Sequence, residues 1–457
     1  MKNATNTAAV EHRARLAALL VFITVIIGLA AAAVGYALTS EPPRMLAKEE
    51  ILERIELVNA ESDHNFVASY LTDYGIAGFD TKKLRTCELY FTRYTIYEMK
   101  DTEALATECA TLFCEYVYDR VDRGSKAALT DAVLECYVEA TGDGYAVYRN
   151  AEQYLEYNTD MSGSFVGIGI QVQYNREKNT ITVIDVYEGS GAMQAGIAVG
   201  DLIVGVDGKT LEGVGYDALV SGIRGEEGTT VTVTVKRGEL TLDLVATRRQ
   251  VVEKTVRYTL RPDGIAYIKI TGFKENTFEL FTLALDAAED DSARGVIFDM
   301  RNNPGGYLNT VVDMIDYIAP EGQRIASYKY STDVKETVFV SDDGHSVDLP
   351  FVVMMNGGTA SAGELFSAAL RDYGKTGVLD VTTVGTKSYS KGVMQSTIGF
   401  SDKSTLTLTV AYYNPPSNVN YDGIGITPDV VVELEEGSDA QLDAAVIEME
   451  KLLGSAA

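Results

Sequence analysis

The stretch Phe351-Val-Val-Met-Met-Asn-Gly-Gly-Thr-Ala-Ser361-Ala-Gly-Glu364 decides the architecture of the C-terminal half. A run of consecutive apolar residues reads as a strand buried on both faces. Small residues then form a turn, and a helix begins at Ser361 and continues to Arg371. Working outward, strand and helix keep alternating. Ile265–Ile270 reads as a strand and Phe278–Ala288 as a helix. Gly295–Met300 is a second buried strand and Leu308–Ile318 a second helix. This alternation predicts an α/β core over 251–457, closed by a charged helix from Ala440 to Leu453.

Upstream the period changes. Over 161–250, Ile168, Ile170 and Val172 alternate with polar residues or glycine, and Thr229–Val235 is a nearly strict period-2 strand. Tyr216–Ile223 reads as a short helix, so this segment is a separate β-rich module. Residues 41–160 read as helical, with Ile51, Ile55 and Leu57 on one apolar side. Tyr90, Tyr94 and Tyr97 are spaced to share a helical face as packing residues. Further upstream, Leu16–Ser40 carries no charge and follows Lys2, Arg13 and Arg15. As a helix it would span about 37 Å, enough for a hydrocarbon core of about 30 Å. It reads as a transmembrane anchor with residues 1–15 in the cytoplasm and the remainder exported. A cleaved signal segment, with small residues at Ala31–Ala33, is the alternative. The fold class expected is therefore a multidomain α+β chain.

Composition narrows the function. The 457 residues are 46% hydrophobic and 23% charged, as in globular proteins. Lys and Arg number 39 against 66 Asp and Glu, a net charge of −27 that opposes nucleic-acid binding. The three histidines, His12, His64 and His345, are too few and too scattered for a metal site, and no metal or organic cofactor is implied. Cys87, Cys109, Cys114 and Cys136 match no zinc spacing; they read as buried small side chains, with disulfides as the alternative.

Ser361 at a helix start can attack a carbonyl while the Ala362 N–H holds the oxyanion. The same Ser361-Ala-Gly-Glu364 also fits a helix capping box. None of the histidines is well placed as a base; His345 lies in a polar turn. The other candidate is Lys391, flanked by glycine and apolar residues, because a desolvated amine loses its proton more readily. Gln395 lies four residues on and can orient that amine. Lys387 is a competitor that reads as a surface residue. Asp299-Met-Arg-Asn-Asn-Pro-Gly-Gly306 follows a buried strand; its paired glycines can complete an oxyanion hole or simply make a turn.

Taken as a set, these blocks resemble those of the carboxy-terminal processing (tail-specific) proteases. The resemblance covers about 125–435. It rests on Gly142-Asp-Gly-Tyr145, Phe165-Val-Gly-Ile-Gly-Ile170, Gly191–Gly196, Gly200-Asp-Leu-Ile203, Asp299–Gly306, Asn356–Glu364, Ser390-Lys-Gly392 with Gln395, and Gly423–Asp429. It implies a PDZ domain over 161–250 and a crotonase-like α/β peptidase core over 251–457. It implies Ser361 as nucleophile, Lys391 as general base supported by Gln395, and an oxyanion hole from Ala362 and Gly305 or Gly306. It also implies that the loop Val166-Gly167-Ile168-Gly169 binds the free C-terminal carboxylate of a protein substrate.

Some positions depart from the family pattern. Gly363 stands for a second Ser, Ser390 for a Gly, and Gly144 where Pro is common. Pro415–Asp422 replaces a basic, Gly-rich segment. The Ser361–Lys391 interval is about five residues long in excess, near Gly377–Thr383, where a longer hairpin is expected to absorb it. The expected function is a membrane-anchored serine endopeptidase acting outside the cytoplasm on protein C-termini. A catalytically inactive PDZ scaffold is the main alternative, and a crotonase-type CoA-ester enzyme a third reading that an exported PDZ chain argues against. The C-terminal helix is compatible with a homodimer.

Overall fold

The computed structural model describes residues 45–58, 65–176, 178–332, 335–342, 344–435 and 437–455. The expected membrane segment 16–40, the preceding residues 1–15, and His12 and His64 lie outside them. Among the described residues no helix is long and apolar enough to cross a membrane. The chain packs as two units, one ending at Tyr148 and the other taking nearly everything from Arg149 onward.

The first unit is helical: α1 (Lys48–Val58), α2 (Val67–Asp73), α3 (Thr81–Tyr94), α4 (Thr102–Leu112) and α5 (Lys126–Ala140). Asp101 and Ser125 accept backbone N–H bonds that cap α4 and α5. Its core holds Ile51, Leu71, Leu84, Phe91 and Phe113. α3 buries Leu84, Cys87, Glu88 and Phe91 and ends at Tyr94. Tyr97 therefore lies beyond the helix, and the expected tyrosine face is not the buried one. The four cysteines are free and buried. Burial pushes their thiols up, Cys87 to about 12 and Cys114 to about 11, which makes them inert packing groups.

The second unit begins with α6 (Ala151–Met161), capped reciprocally by Asn150 and Gln153. Strands β1 (Ser164–Gly167) and β7 (Arg249–Val252) pair antiparallel and bracket a sheet whose five longer strands are joined by the two-residue strand Lys209–Thr210. Its longer strands are β2 (Ile170–Asn175), β3 (Thr180–Val186), β4 (Leu202–Val206), β5 (Thr230–Arg237) and β6 (Leu240–Thr247), in that order and antiparallel. Helices α7 (Gly191–Ala195), α8 (Leu211–Val214) and α9 (Tyr216–Ile223) accompany it. Val231, Val233 and Val235 of β5 point into the core beside Ile181, Ile203 and Leu219. Asp201 takes a bidentate bond from Arg237, both contacts 2.7 Å, and that partner holds its carboxyl below the usual range.

The C-terminal parallel sheet runs β8 (Val256–Leu260), β9 (Ala266–Ile270), β10 (Val296–Asp299), β13 (Phe351–Met355), β14 (Val381–Gly385) and β17 (Val430–Val431). All neighbours beyond the β8–β9 pair are parallel. Alternate residues serve two different cores, which is why β13 reads as an unbroken apolar run. Phe351, Val353 and Met355 face α10 (Thr277–Asp290), α11 (Leu308–Ile318) and α12 (Ala362–Thr376). Val352 and Met354 face α13 (Ala440–Ser455), where Ala445 and Met449 cover them. Phe298 meets Phe351, Phe366 and Phe281 at ring distances of 5.4, 5.3 and 5.8 Å. Truncating it to alanine would cost about 3–5 kcal/mol.

A second sheet joins β11 (Arg324–Tyr330), β12 (Thr337–Val340), β15 (Val393–Gly399) and β16 (Thr405–Asn414). The expected hairpin near Gly377–Thr383 is absent. There α12 runs past Arg371 to Thr376, ends on Gly377 at φ 72°, and the chain enters β14 as a parallel strand. The additional length is spent on helix, which the left-handed Gly377 then ends.

Candidate active site

Ser361 sits where the carboxyl end of β13 meets the N-terminus of α12. Its backbone is at φ 54°, ψ −120°, a conformation that costs a non-glycine residue about 1–3 kcal/mol. The turn before it is laced to the segment after β10. Asn356 Oδ1 accepts from the N–H groups of Asn302 and Gly358, each at 2.9 Å, and Thr359 Oγ1 donates to Met300 O at 2.8 Å. Ala360 N–H donates to Asn303 O at 2.8 Å. These bonds hold the strained residue in place.

The glycine pair lands against Ser361. Gly305 has φ +101°, and a Cβ there would lie 2.8 Å from Ser361 Cβ and 3.0 Å from Ala362 N. Ala362 opens α12, so its N–H has no intrahelical acceptor. The Gly305 N–H is held by Asn303 Oδ1 at 2.9 Å. Gly306 bridges to Phe273 through Gly305 O and Tyr307 N, which leaves its own N–H outside that bridge. Of the two glycines, Gly306 is therefore the one with a donor to offer beside Ala362.

Lys391 is half-buried on the loop between β14 and β15. What brings that loop to Ser361 is Glu364, whose side chain is fully buried. Its Oε2 accepts from Ser361 N at 2.9 Å and from Lys391 N at 2.8 Å. Its Oε1 accepts from Ser390 N at 2.7 Å and Ser388 Oγ at 2.5 Å. The capping pattern of the sequence is present in the Glu364-to-Ser361 bond, and the same carboxylate also organises the lysine loop. Ser390 has φ +89°, a conformation suited to the glycine that is usual there. Gln395, on β15, directs Nε2 to Thr409 Oγ1 at 3.3 Å.

Behind the glycines, buried Asp299 accepts from Tyr267 OH and the Arg301 guanidinium, with Lys269 Nζ 3.0 Å away. Burial pushes Asp299 up, but Arg301 and Lys269 outweigh it and hold the carboxyl below its ordinary range. Arg301 reaches on to Asp439 at 2.7 Å, tying this turn to the start of α13. His345 stacks on Tyr317 with ring centroids 3.8 Å apart. It precedes β13 whereas Ser361 follows it, so about 16 Å of strand separates the two ends. The fold does not bring His345 to Ser361.

In the β-rich module, the expected loop Val166–Gly169 is partly strand: Val166 and Gly167 end β1, paired with Gln250 and Arg249, and Ile168 and Gly169 link it to β2. Ile168 O and Gly169 O accept from Ala192 N and Tyr187 N, at 2.8 and 3.0 Å, so the loop's carbonyls turn inward. Gly169 has φ +79°, and a Cβ there would fall 2.4 Å from Ser190 Cβ. Among the described residues β2 pairs on one side only, with Ile170, Val172 and Tyr174 half-buried along it. An extended peptide can add to such an edge.

Residues 264–432 match peptidase family S41 and residues 157–236 match the PDZ domain. The chain is thus built from a PDZ domain and a family S41 peptidase domain, and is a homologue of the CtpA-like serine proteases. A probable CtpA-like serine protease of Staphylococcus haemolyticus is 32% identical over 325 residues, covering 70% of this chain and 64% of that protein. One from Staphylococcus aureus is 34% identical over 307 residues, covering 67% and 60%. The chain spans just under two thirds of the length of these curated relatives. Among solved structures, a putative S41 protease from Bacteroides fragilis aligns with TM-score 0.51 at 18% identity, over 79% of this chain and all of that one. The photosystem II D1 C-terminal processing protease aligns with TM-score 0.46 at 24% identity, over 77% and 92%.

Glu364 in its four-way role, Asn303 and Asn356 were not singled out by the sequence. Only the i to i+3 spacing of Ser361 and Glu364 carried a signal.

Proposed function

We propose that this chain is a serine endopeptidase that recognises the C-terminal tails of proteins through its PDZ domain and cleaves peptide bonds with a Ser361–Lys391 dyad. The observation that carries the reading is the Glu364 carboxylate, one oxygen of which takes both the Ser361 and Lys391 N–H groups. Neutral Lys391 accepts the Ser361 Oγ proton as Oγ bonds to the scissile carbonyl carbon. The resulting oxyanion is held by the N–H groups of Ala362 and Gly306. The lysine ammonium then protonates the leaving amine as the C–N bond breaks, leaving an acyl-enzyme. Lys391 next deprotonates a water that releases the acyl group as a carboxylic acid. Gln395 supports Lys391 when its amide leaves Thr409.

The tail carboxylate binds at Val166–Gly169, with the last residues of the substrate extended along β2. Residues 16–40 anchor the chain in the cell membrane with the PDZ domain (161–250) and peptidase core (251–457) outside the cytoplasm. The homology to serine proteases and the PDZ edge strand support this reading.

The test is cleavage of an unstructured protein such as casein, beside Ser361→Ala, Lys391→Ala and Lys391→Arg. Cleavage by the parent alone is expected, since a guanidinium cannot serve as base. Retained cleavage by Lys391→Arg would sink the dyad, and no cleavage by the parent, with or without a tail peptide, would favour a PDZ scaffold. Tail reading is checked with paired substrates ending in a free carboxylate or an amide; equal rates would refute it.

A further inference from the structure

The main-chain N–H and C=O groups of two consecutive residues, Lys391 and Gly392, are all hydrogen-bonded. Lys391 N–H donates to Glu364 Oε2 at 2.8 Å, and its C=O accepts from Tyr413 OH at 3.1 Å. Gly392 N–H donates to Asp422 Oδ1 at 2.9 Å. Gly392 C=O accepts from Asn420 Nδ2 at 2.9 Å and from Tyr413 N–H at 3.2 Å. The partners are braced in turn. Asn420 Nδ2 also donates to Tyr413 O at 2.8 Å, and Asn420 Oδ1 accepts from Asp422 N at 2.8 Å. The 420–422 turn presses so closely that a Cβ on Gly392 would lie 2.7 Å from Asp422 N. Tyr413 is 3% exposed and packs edge-to-face on buried Tyr421 with ring centroids 6.0 Å apart.

Asn420 and Asp422 come from the polar stretch Pro415–Asp422 that follows β16. A lysine carries about 2 kcal/mol of rotamer entropy, so its backbone is the part a protein can fix without hindering proton transfer. We propose that Asp422, Asn420 and Tyr413 are positioning residues for the general base. They form a rigid platform that, together with Glu364, immobilises the Lys391 main chain so that only the side chain must find Ser361. The proposal rests on the Ser361–Lys391 reading above.

The test compares full-length Asp422→Ala, Asp422→Asn and Tyr413→Phe with the parent and Lys391→Ala on one peptide substrate. kcat, KM, the pH–rate profile and the unfolding midpoint are measured for each. Misplacing a reacting group by about 1 Å costs about 100-fold. Asp422→Ala should therefore lower kcat by about 10- to 100-fold with KM within about twofold. Asp422→Asn, which keeps Oδ1 as acceptor, should stay within about threefold of the parent. Tyr413→Phe deletes the hydroxyl that bonds Lys391 O and also reaches the Ser361 and Tyr421 hydroxyls, so it is read beside the Asp422 pair, and it carries the test if Asp422→Ala does not fold. Its kcat should fall about tenfold with KM unchanged and with the alkaline-rising limb of the pH profile displaced. Parent-like kcat in Asp422→Ala and Tyr413→Phe, with Lys391→Ala inactive, would overturn the platform and leave the dyad standing. An Asn variant that falls as far as Ala would also overturn it. Activity in Lys391→Ala would overturn the dyad, and the platform with it.

Discussion

Replacing Glu364 by glutamine separates the part this side chain plays in shape from the part it plays in charge. The two carboxylate oxygens each take two donors: Ser361 N and Lys391 N on one, Ser390 N and Ser388 Oγ on the other. Glutamine is isosteric but turns one oxygen into an NH2 group. With that group facing Ser361 and Lys391, two backbone donors lose their acceptor. In the opposite orientation Ser388 can rotate and accept, and only the Ser390 N–H is opposed. Each lost bond to a buried charged acceptor is worth about 1.5–3 kcal/mol, so the variant should be about 2–5 kcal/mol less stable. At about 2–4 °C per kcal/mol its unfolding midpoint should fall by about 4–20 °C. Either orientation loosens the contact between the nucleophile turn and the lysine loop, and kcat should fall by about 100-fold or more. Differential scanning calorimetry and peptide cleavage at saturating substrate measure the two effects. A Glu364→Gln variant with parent-like kcat and a midpoint within about 1 °C would refute the view that this carboxylate joins the two halves of the site.

Gly305→Ala should abolish cleavage, by about 100- to 1,000-fold or more, while tail binding to the PDZ domain persists. Its Cβ would lie 2.8 Å from Ser361 Cβ, and cleavage assays paired with tail-peptide binding by fluorescence anisotropy check this. Ser390→Gly should stabilise the protein by about 1 kcal/mol in urea unfolding, because φ +89° strains a residue with a Cβ; a destabilised variant would contradict that account. Glu88 in α3 has its carboxyl pushed up to about 7 by burial, against the backbone N–H bonds of Ala68 and Val67. The folded state then holds a proton that the unfolded state, near 4.5, gives up, so stability falls as pH rises from about 4.5 to 7 and stays lower above. Glu88→Gln should remove up to about 3 kcal/mol of that loss, matching the parent near pH 4.5 and exceeding it at pH 8; equal stability curves would contradict the assignment.

Periodicity revealed most of the core because burial on both faces leaves a plain mark. Leu308–Ile318 and Tyr216–Ile223 are helices with the bounds their apolar spacing implies. The turn into Ser361 was legible for the same reason, since a buried strand followed by small residues has few ways to continue. What local pattern cannot carry is a partner far along the chain. The spacing of Ser361 and Glu364 shows one bond of Glu364, while the other three come from residues 388–391. Tyr413, Asn420 and Asp422 carry no local signal of their contacts, and only the fold brings them beneath Lys391. The hairpin expected near Gly377 failed because a glycine in a polar stretch marks the end of a helix as readily as the bend of a loop. Tyr97 fell outside its helix because spacing alone does not say where a helix stops.

The covering of Val352 and Met354 by Ala445 and Met449 sets an order of events for synthesis. As the chain emerges from the ribosome, Ser361, Lys391 and the glycine turn are all made before α13. Until that helix arrives, one face of the parallel sheet stays open to water, and Arg301 behind the glycine turn lacks Asp439. Parallel pairings close over long sequence separations and form late. The framework around Ser361 and Lys391 is therefore complete only when the last described helix docks.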